Sequence, residues 1–254
     1  MTDPGFQAFL NSKLPHPLWL IEGLISGGRT LVYGRPKVGK SFFGLQIAQA
    51  LANQEPLIGY PAPTRKWRIL YVSLDAPGAD MQDQGRKLGI TADFGFASWD
   101  HHEPDWYVPK YCLSTRENIA LTKAVLLRYR PEAILWDCLT VMDAGGNFND
   151  GTIAKLIYGK IFQDLWRGPQ IMLAHANKGS SDGMDGRHPI ERLKGATEFT
   201  ADASSYIFIE SEGGAGTFSI GGRGVAESVL GMTREPNGAW KRRTEPPRPP
   251  VIYP

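Results

Sequence analysis

The chain has 254 residues, 42% of them hydrophobic and 21% charged, which is enough apolar material for one full core and too little charge excess to keep it unfolded. Its formal net charge is +2, so any surface for nucleic acid has to be a local patch and not a field over the whole molecule. The two cysteines, Cys112 and Cys138, have neither CxxC spacing nor a histidine cluster nearby in sequence; this argues against a disulfide scaffold and against zinc, and leaves buried reduced thiols as the expectation.

In chain order, residues 1–26 are punctuated by proline and carry Leu18-Trp19-Leu20-Ile21, which predicts an arm that lays one apolar patch on the body. It has no basic start leading into an apolar run, and no stretch of the chain approaches the roughly 18 apolar residues of a membrane span. The expected location is cytoplasmic, with no membrane partner. Short apolar runs follow at Thr30-Leu31-Val32-Tyr33, at 69–74, at Ala133-Ile134-Leu135-Trp136 and at Ile171-Met172-Leu173-Ala174, each fit for a strand covered on both faces.

Helical patterns lie between these runs. Ser114-Thr115-Arg116-Glu117 has capping-box spacing and opens a helix that reaches about Tyr129, before Pro131. Over 152–167, Ile153, Leu156, Ile157, Ile161 and Leu165 form a helical stripe, with Asp150 as its cap and Gly168-Pro169 as its stop. From Ala203 the pattern changes to runs at 205–209, 216–220 and 228–232 separated by glycine-rich turns, which predict antiparallel edge strands. Residues 234–254 read as a tail rich in proline and arginine, with five prolines from 244 onward. The predicted fold is therefore α/β, a mainly parallel sheet flanked by helices with C-terminal antiparallel edge strands, over residues 27–233.

Gly34-Arg35-Pro36-Lys37-Val38-Gly39-Lys40-Ser41 fits GxxxxGK[ST] and falls between a predicted strand and a predicted helix, the context that a phosphate-binding loop requires. Glycine allows backbone N–H groups to approach phosphate oxygens, and the helix N-terminus favours their charge. Lys40 reaches the outer phosphates, Ser41 is a Mg²⁺ ligand, and Gly34, Pro36, Lys37, Val38, Gly39 and Phe42 complete the nucleotide-binding set. Asp137, directly after a buried run, is the second Mg²⁺ ligand in the Walker B position. Asp75 ends another strand at the same edge and is placed to position or deprotonate the attacking water; a turn role, since Ala76-Pro77-Gly78 follows it, is the competing reading. His175 ends a fourth strand, either contacting the γ-phosphate or sitting as a satisfied buried histidine. Asn177-Lys178 suggests a guanine-recognition motif, but position 180 is Ser and not the acid that motif needs, so the expected nucleotide is ATP with Mg²⁺.

In AAA+ proteins the catalytic acid usually follows the Walker B aspartate directly, whereas Asp137 is followed by Cys138; acids on separate strands resemble the RecA-like P-loop ATPases. The ordered series of Trp19 before Gly23, the loop 34–41 with Lys37 inside it, Leu74-Asp75-Ala76-Pro77, Asp137 and His175-Ala176-Asn177-Lys178-Gly179 resembles the plasmid RepA type of hexameric replicative helicase. The resemblance runs over about residues 18–210. It implies a ring-forming homo-oligomer, a hexamer, acting on single-stranded DNA in replication of a plasmid, phage or mobile element, with His175 as sensor. This chain departs from that family in two places. Asp75 stands where the family commonly has Glu, and Lys194-Gly195 stands where it has Arg-Gly as a finger into the neighbouring site; Lys194 is a point charge without guanidinium geometry. Arg187 and Arg223 are the other candidates for that finger. Lys178, Arg187 and Lys194 lie in a Gly/Ser/Asp-rich stretch that reads either as a DNA-facing loop or as a surface linker. Two other functions remain in play: a RecA-like recombination or strand-annealing ATPase, and a nucleotide-gated binding module with weak hydrolysis.

Overall fold

A computed structural model describes residues 19–142, 159, 165–176 and 203–244. The strands in order are β1 (Trp19–Ile21), β2 (Ile25–Ser26), β3 (Arg29–Gly34), β4 (Ile69–Ser73), β5 (Gly95–Ser98), β6 (Ala133–Asp137), β7 (Gln170–His175), β8 (Ser205–Glu212), β9 (Ala215–Gly222), β10 (Val225–Arg234) and β11 (Trp240–Arg242). Among the described residues the α-helices are α1 (Lys40–Asn53), α2 (Gly78–Leu88) and α3 (Arg116–Tyr129). The stripe at 152–167 falls almost wholly outside the described residues, as do residues 1–18 of the predicted arm and 245–254 of the predicted tail.

One sheet of nine strands runs β11-β10-β9-β8-β3-β7-β6-β4-β5. From β8 to β5 every neighbour is parallel, as the continuous apolar runs predict for strands buried on both faces. Alternation divides them cleanly. Val32, Tyr71, Leu135, Leu173 and Ile207 join Phe43, Ile47 and Leu51 of α1 and the β1–β2 residues Leu20, Ile21, Leu24 and Ile25 on one side. Leu31, Tyr33, Val72, Trp136, Met172 and Phe208 join Val125 and Leu126 of α3 on the other. Phe43, Ile47 and Leu51 are fully buried, at about 1.5–3 kcal/mol each, so α1 is anchored firmly beneath the end of β3 from which its loop departs. No described helix is long and apolar enough to cross a membrane.

The structure corrects three local expectations. α3 is capped one residue later than the sequence spacing suggests, since Thr115 accepts from the Asn118 N–H at 3.1 Å; Ser114 and Thr115 have equal capping chemistry, and the sequence does not rank them. The antiparallel section begins at β9, because β8 pairs parallel with β3 on its inner side. Finally, the expected tail from 234 does not start there: β11 pairs with β10, and Trp240 is buried to 1% exposure.

Candidate nucleotide-binding site

β3 lies between β7 and β8, and the loop leaves from its carboxyl end, the edge at which parallel α/β sheets hold ligands. Gly34 has to be glycine, because a Cβ there would sit 2.4 Å from the Ile209 carbonyl oxygen. Gly39 has φ +98° and ends the loop in the left-handed region, at little cost for a residue without Cβ. Gly39 at the N-cap has no side chain with which to accept from the first N–H groups of α1. Arg35, Pro36 and Lys37 crown the loop in solvent, while Val38 turns inward.

Lys40 points back under the loop and is only 6% exposed. Its Nζ donates to the carbonyls of Gly34 at 3.1 Å and Arg35 at 2.9 Å and lies 3.2 Å from His175 Nδ1. Burial lowers its pKa, against the opposing pull of Cys138, Asp137 and Asp75.

Asp137 is 3% exposed and accepts from the Tyr71 hydroxyl at 2.6 Å. Burial raises its pKa, and hydrogen bonds from Tyr71 and Ser41 together with the Lys40 charge offset part of that rise. The Ser41 hydroxyl and the Asp137 carboxylate thus meet at the start of α1, two hard oxygen donors of the kind Mg²⁺ takes; the donor set fits the ion. The Asp75 N–H donates to the Asp137 carbonyl at 3.2 Å, which ties the ends of β4 and β6 together. The half-exposed Asp75 carboxylate lies 3.7 Å from His175 Nε2. The hydrogen bond from His175 holds the Asp75 pKa below the ordinary carboxylate value against the opposing effect of burial, with Lys110 and Lys40 adding to the lowering. Residues from three strand ends and one helix therefore converge: Lys40, Ser41, Asp75, Asp137 and His175.

Other predicted residues are not brought there. Lys194 and Arg187 lie outside the described residues. Arg223 is in the exposed β9–β10 turn, at the end of the sheet opposite this chain's own loop.

The sequence reading missed three supports. Tyr71 binds Asp137, which lies two residues beyond Leu135, its register partner on the neighbouring strand. Trp240 Nε1 donates to the Gly39 carbonyl at 3.3 Å, and Trp240 exchanges two hydrogen bonds with the Gln46 side chain at 2.9 and 3.1 Å. Arg234 lies 4.9 Å over the Phe42 ring, and a Cβ at Gly238 would overlap that ring. The β10–β11 hairpin thus braces the phosphate loop from outside. Beside it opens a cleft of about 550 Å³ lined by Arg35, Val38, Glu210, Glu212, Thr217 and Arg243, within the size range of small-molecule sites.

The sequence model of a family described as "AAA domain" matches residues 4–180. No curated protein matches the chain. Among solved structures, one described as an ATPase domain superimposes with a TM-score of 0.57 at 13% identity, over 84% of each chain. A DnaB-like replicative helicase, from a study of its interactions with primase, gives 0.56 at 12% identity, over 84% of this chain and 57% of the longer one. At such identities the likeness establishes the RecA-like fold.

Proposed function

The chain belongs to the AAA domain family, and from that premise we propose that it binds and hydrolyses ATP as a helicase-like, RecA-type motor. The observation that carries this reading is the convergence of Lys40, Ser41, Asp137, Asp75 and His175 around the uncapped start of α1. In this assignment the loop N–H groups from Gly34 to Phe42 cradle the phosphates and Lys40 moves from the Gly34 and Arg35 carbonyls to the outer phosphate oxygens. Ser41 and Asp137 hold Mg²⁺, which when bound supplies charge neutralisation to the β- and γ-phosphates. Asp75 orients water, and His175 reports the γ-phosphate.

The finer assignment is a hexameric ring on single-stranded DNA, serving replication of a plasmid, phage or mobile element in the cytoplasm. Its supports are the motif series and the shared fold with a DnaB-like replicative helicase. One of Lys194, Arg187 or Arg223 completes the neighbouring site in trans. A second reading has its own observation: Asp75, with a side chain shorter than Glu, is engaged by His175, which favours a nucleotide-gated module with slow turnover over a fast motor.

Steady-state ATP hydrolysis with and without single-stranded DNA separates these readings. Stimulation by DNA that disappears in Lys40→Ala supports the motor. Tight ATP binding with negligible turnover under both conditions replaces it with the gated module.

A further inference from the structure

We propose that Asp75, Cys138 and His175 form a second metal site, selective for a zinc-class cation over magnesium, whose filling arrests turnover. The arrest rests on the ATPase reading above; the metal binding does not.

Zinc was disfavoured by the linear sequence because no ligand neighbours another. The sheet supplies what the spacing lacks. Asp75 follows β4, Cys138 follows β6 and His175 ends β7, and one donor atom from each lies within 4.8 Å of the others. Among the described residues no other group of three or more His, Cys, Asp and Glu side chains converges in this way.

The donors are a thiol, an imidazole and a carboxylate, the set that zinc takes in open sites with three protein ligands. Around a tetrahedral zinc, neighbouring donor atoms stand roughly 3.5 Å apart. His175 Nε2 and Asp75 Oδ2 are already 3.7 Å apart, and half-exposed Asp75 has room to rotate. Magnesium prefers oxygen donors and stays with Ser41 and Asp137, so donor softness separates the two sites.

Binding through Nε2 requires the ring proton on Nδ1, and the thiol proton leaves to solvent. Lys40 Nζ, 3.2 Å from Nδ1 and itself a donor, then gives up that contact and keeps the two loop carbonyls it already donates to. A cation so placed takes both Asp75 and His175 out of their catalytic roles.

Cobalt(II), a spectroscopic stand-in for zinc, tests the site in the nucleotide-free full chain. The expected result is one equivalent bound, with intense visible bands of tetrahedral coordination and a near-ultraviolet thiolate-to-cobalt band, all displaced by zinc. Cys138→Ala is expected to abolish the thiolate band, and His175→Gln to weaken cobalt affinity at least tenfold, with thermal melting checking that each variant folds. Weak octahedral spectra, or a thiolate band that survives Cys138→Ala, would overturn the site. If the protein turns over ATP, micromolar zinc is expected to inhibit it in the presence of excess Mg²⁺, and Cys138→Ala to need at least tenfold more zinc. Equal inhibition of both proteins would overturn the arrest. If the protein shows no ATPase activity, the ATPase reading and its arrest fall together, and the cobalt spectra alone decide the metal site.

Discussion

The starts of α1 and α3 are built in opposite ways. α3 opens on Thr115, whose hydroxyl accepts from the Asn118 N–H, and Glu117 adds a negative charge in its first turn. α2 is also served, though from a distance: Asp100, 22 residues along, accepts from the Gly78 N–H with both carboxylate oxygens at 2.9 and 3.0 Å. α1 has no side-chain cap and no acid in its first turn. Where a helix start only has to be stable, the chain spends a polar side chain on it. Where an anion has to bind, it leaves the N–H groups and the positive end of the dipole open.

The comparison breaks most visibly at Gly39. Gly39→Ala puts a Cβ at φ +98°, 3.0 Å from Trp240 Nε1 and 3.2 Å from the Arg234 guanidinium; strain of about 1–3 kcal/mol follows, and ATP affinity is expected to fall at least tenfold in a calorimetric titration. Undiminished affinity would mean that the left-handed turn is not what aims the loop. Thr115→Ala is the sharpening control at the other helix. It is expected to cost about 1 kcal/mol of stability, seen as a melting-temperature drop of about 2–4 °C, with ATP affinity unchanged.

The smallest effect belongs to Asp100. Burial pushes its pKa up, but the Gly78 N–H and Ser98 hydroxyl more than offset this and hold it below the ordinary value. A pKa lower in the folded state means that the contribution is present above the unfolded value, near pH 4, and is lost as pH falls through the folded one. Acid denaturation curves should therefore show a shallower loss of stability below about pH 4 for Asp100→Asn than for the wild type. Parallel curves would remove the carboxylate from the capping of α2.

How much of this was legible depends on distance along the chain. The phosphate loop is contiguous and flanked by unmistakable elements, and β3, β4, β6 and β7 are built on continuous apolar runs, so local pattern sufficed for these; the short β5, Gly95–Ser98, has no such run and was missed. Asp100 sits in Trp99-Asp100-His101-His102, a cluster with no local reason for its composition; its role lies in the orphan N–H at Gly78. Trp240 was hidden by a proline-rich neighbourhood that reads as tail, since its partner Gln46 is 194 residues away. Tyr71 looked like one more apolar strand residue until the pairing of β4 with β6 brought its hydroxyl to Asp137, 66 residues on. Cys138 was dismissed for the same reason, because its neighbours Asp75 and His175 arrive on other strands.

The central claim is that α1 is left uncapped for the phosphates of ATP, with Lys40 turning from the loop carbonyls to meet them. Titration of Mg·ATP into the wild type and into Lys40→Ala tests it most directly. The account predicts one nucleotide bound per chain and an affinity at least tenfold weaker in the variant, with Thr115→Ala indistinguishable from the wild type. Equal affinity in wild type and Lys40→Ala would contradict it.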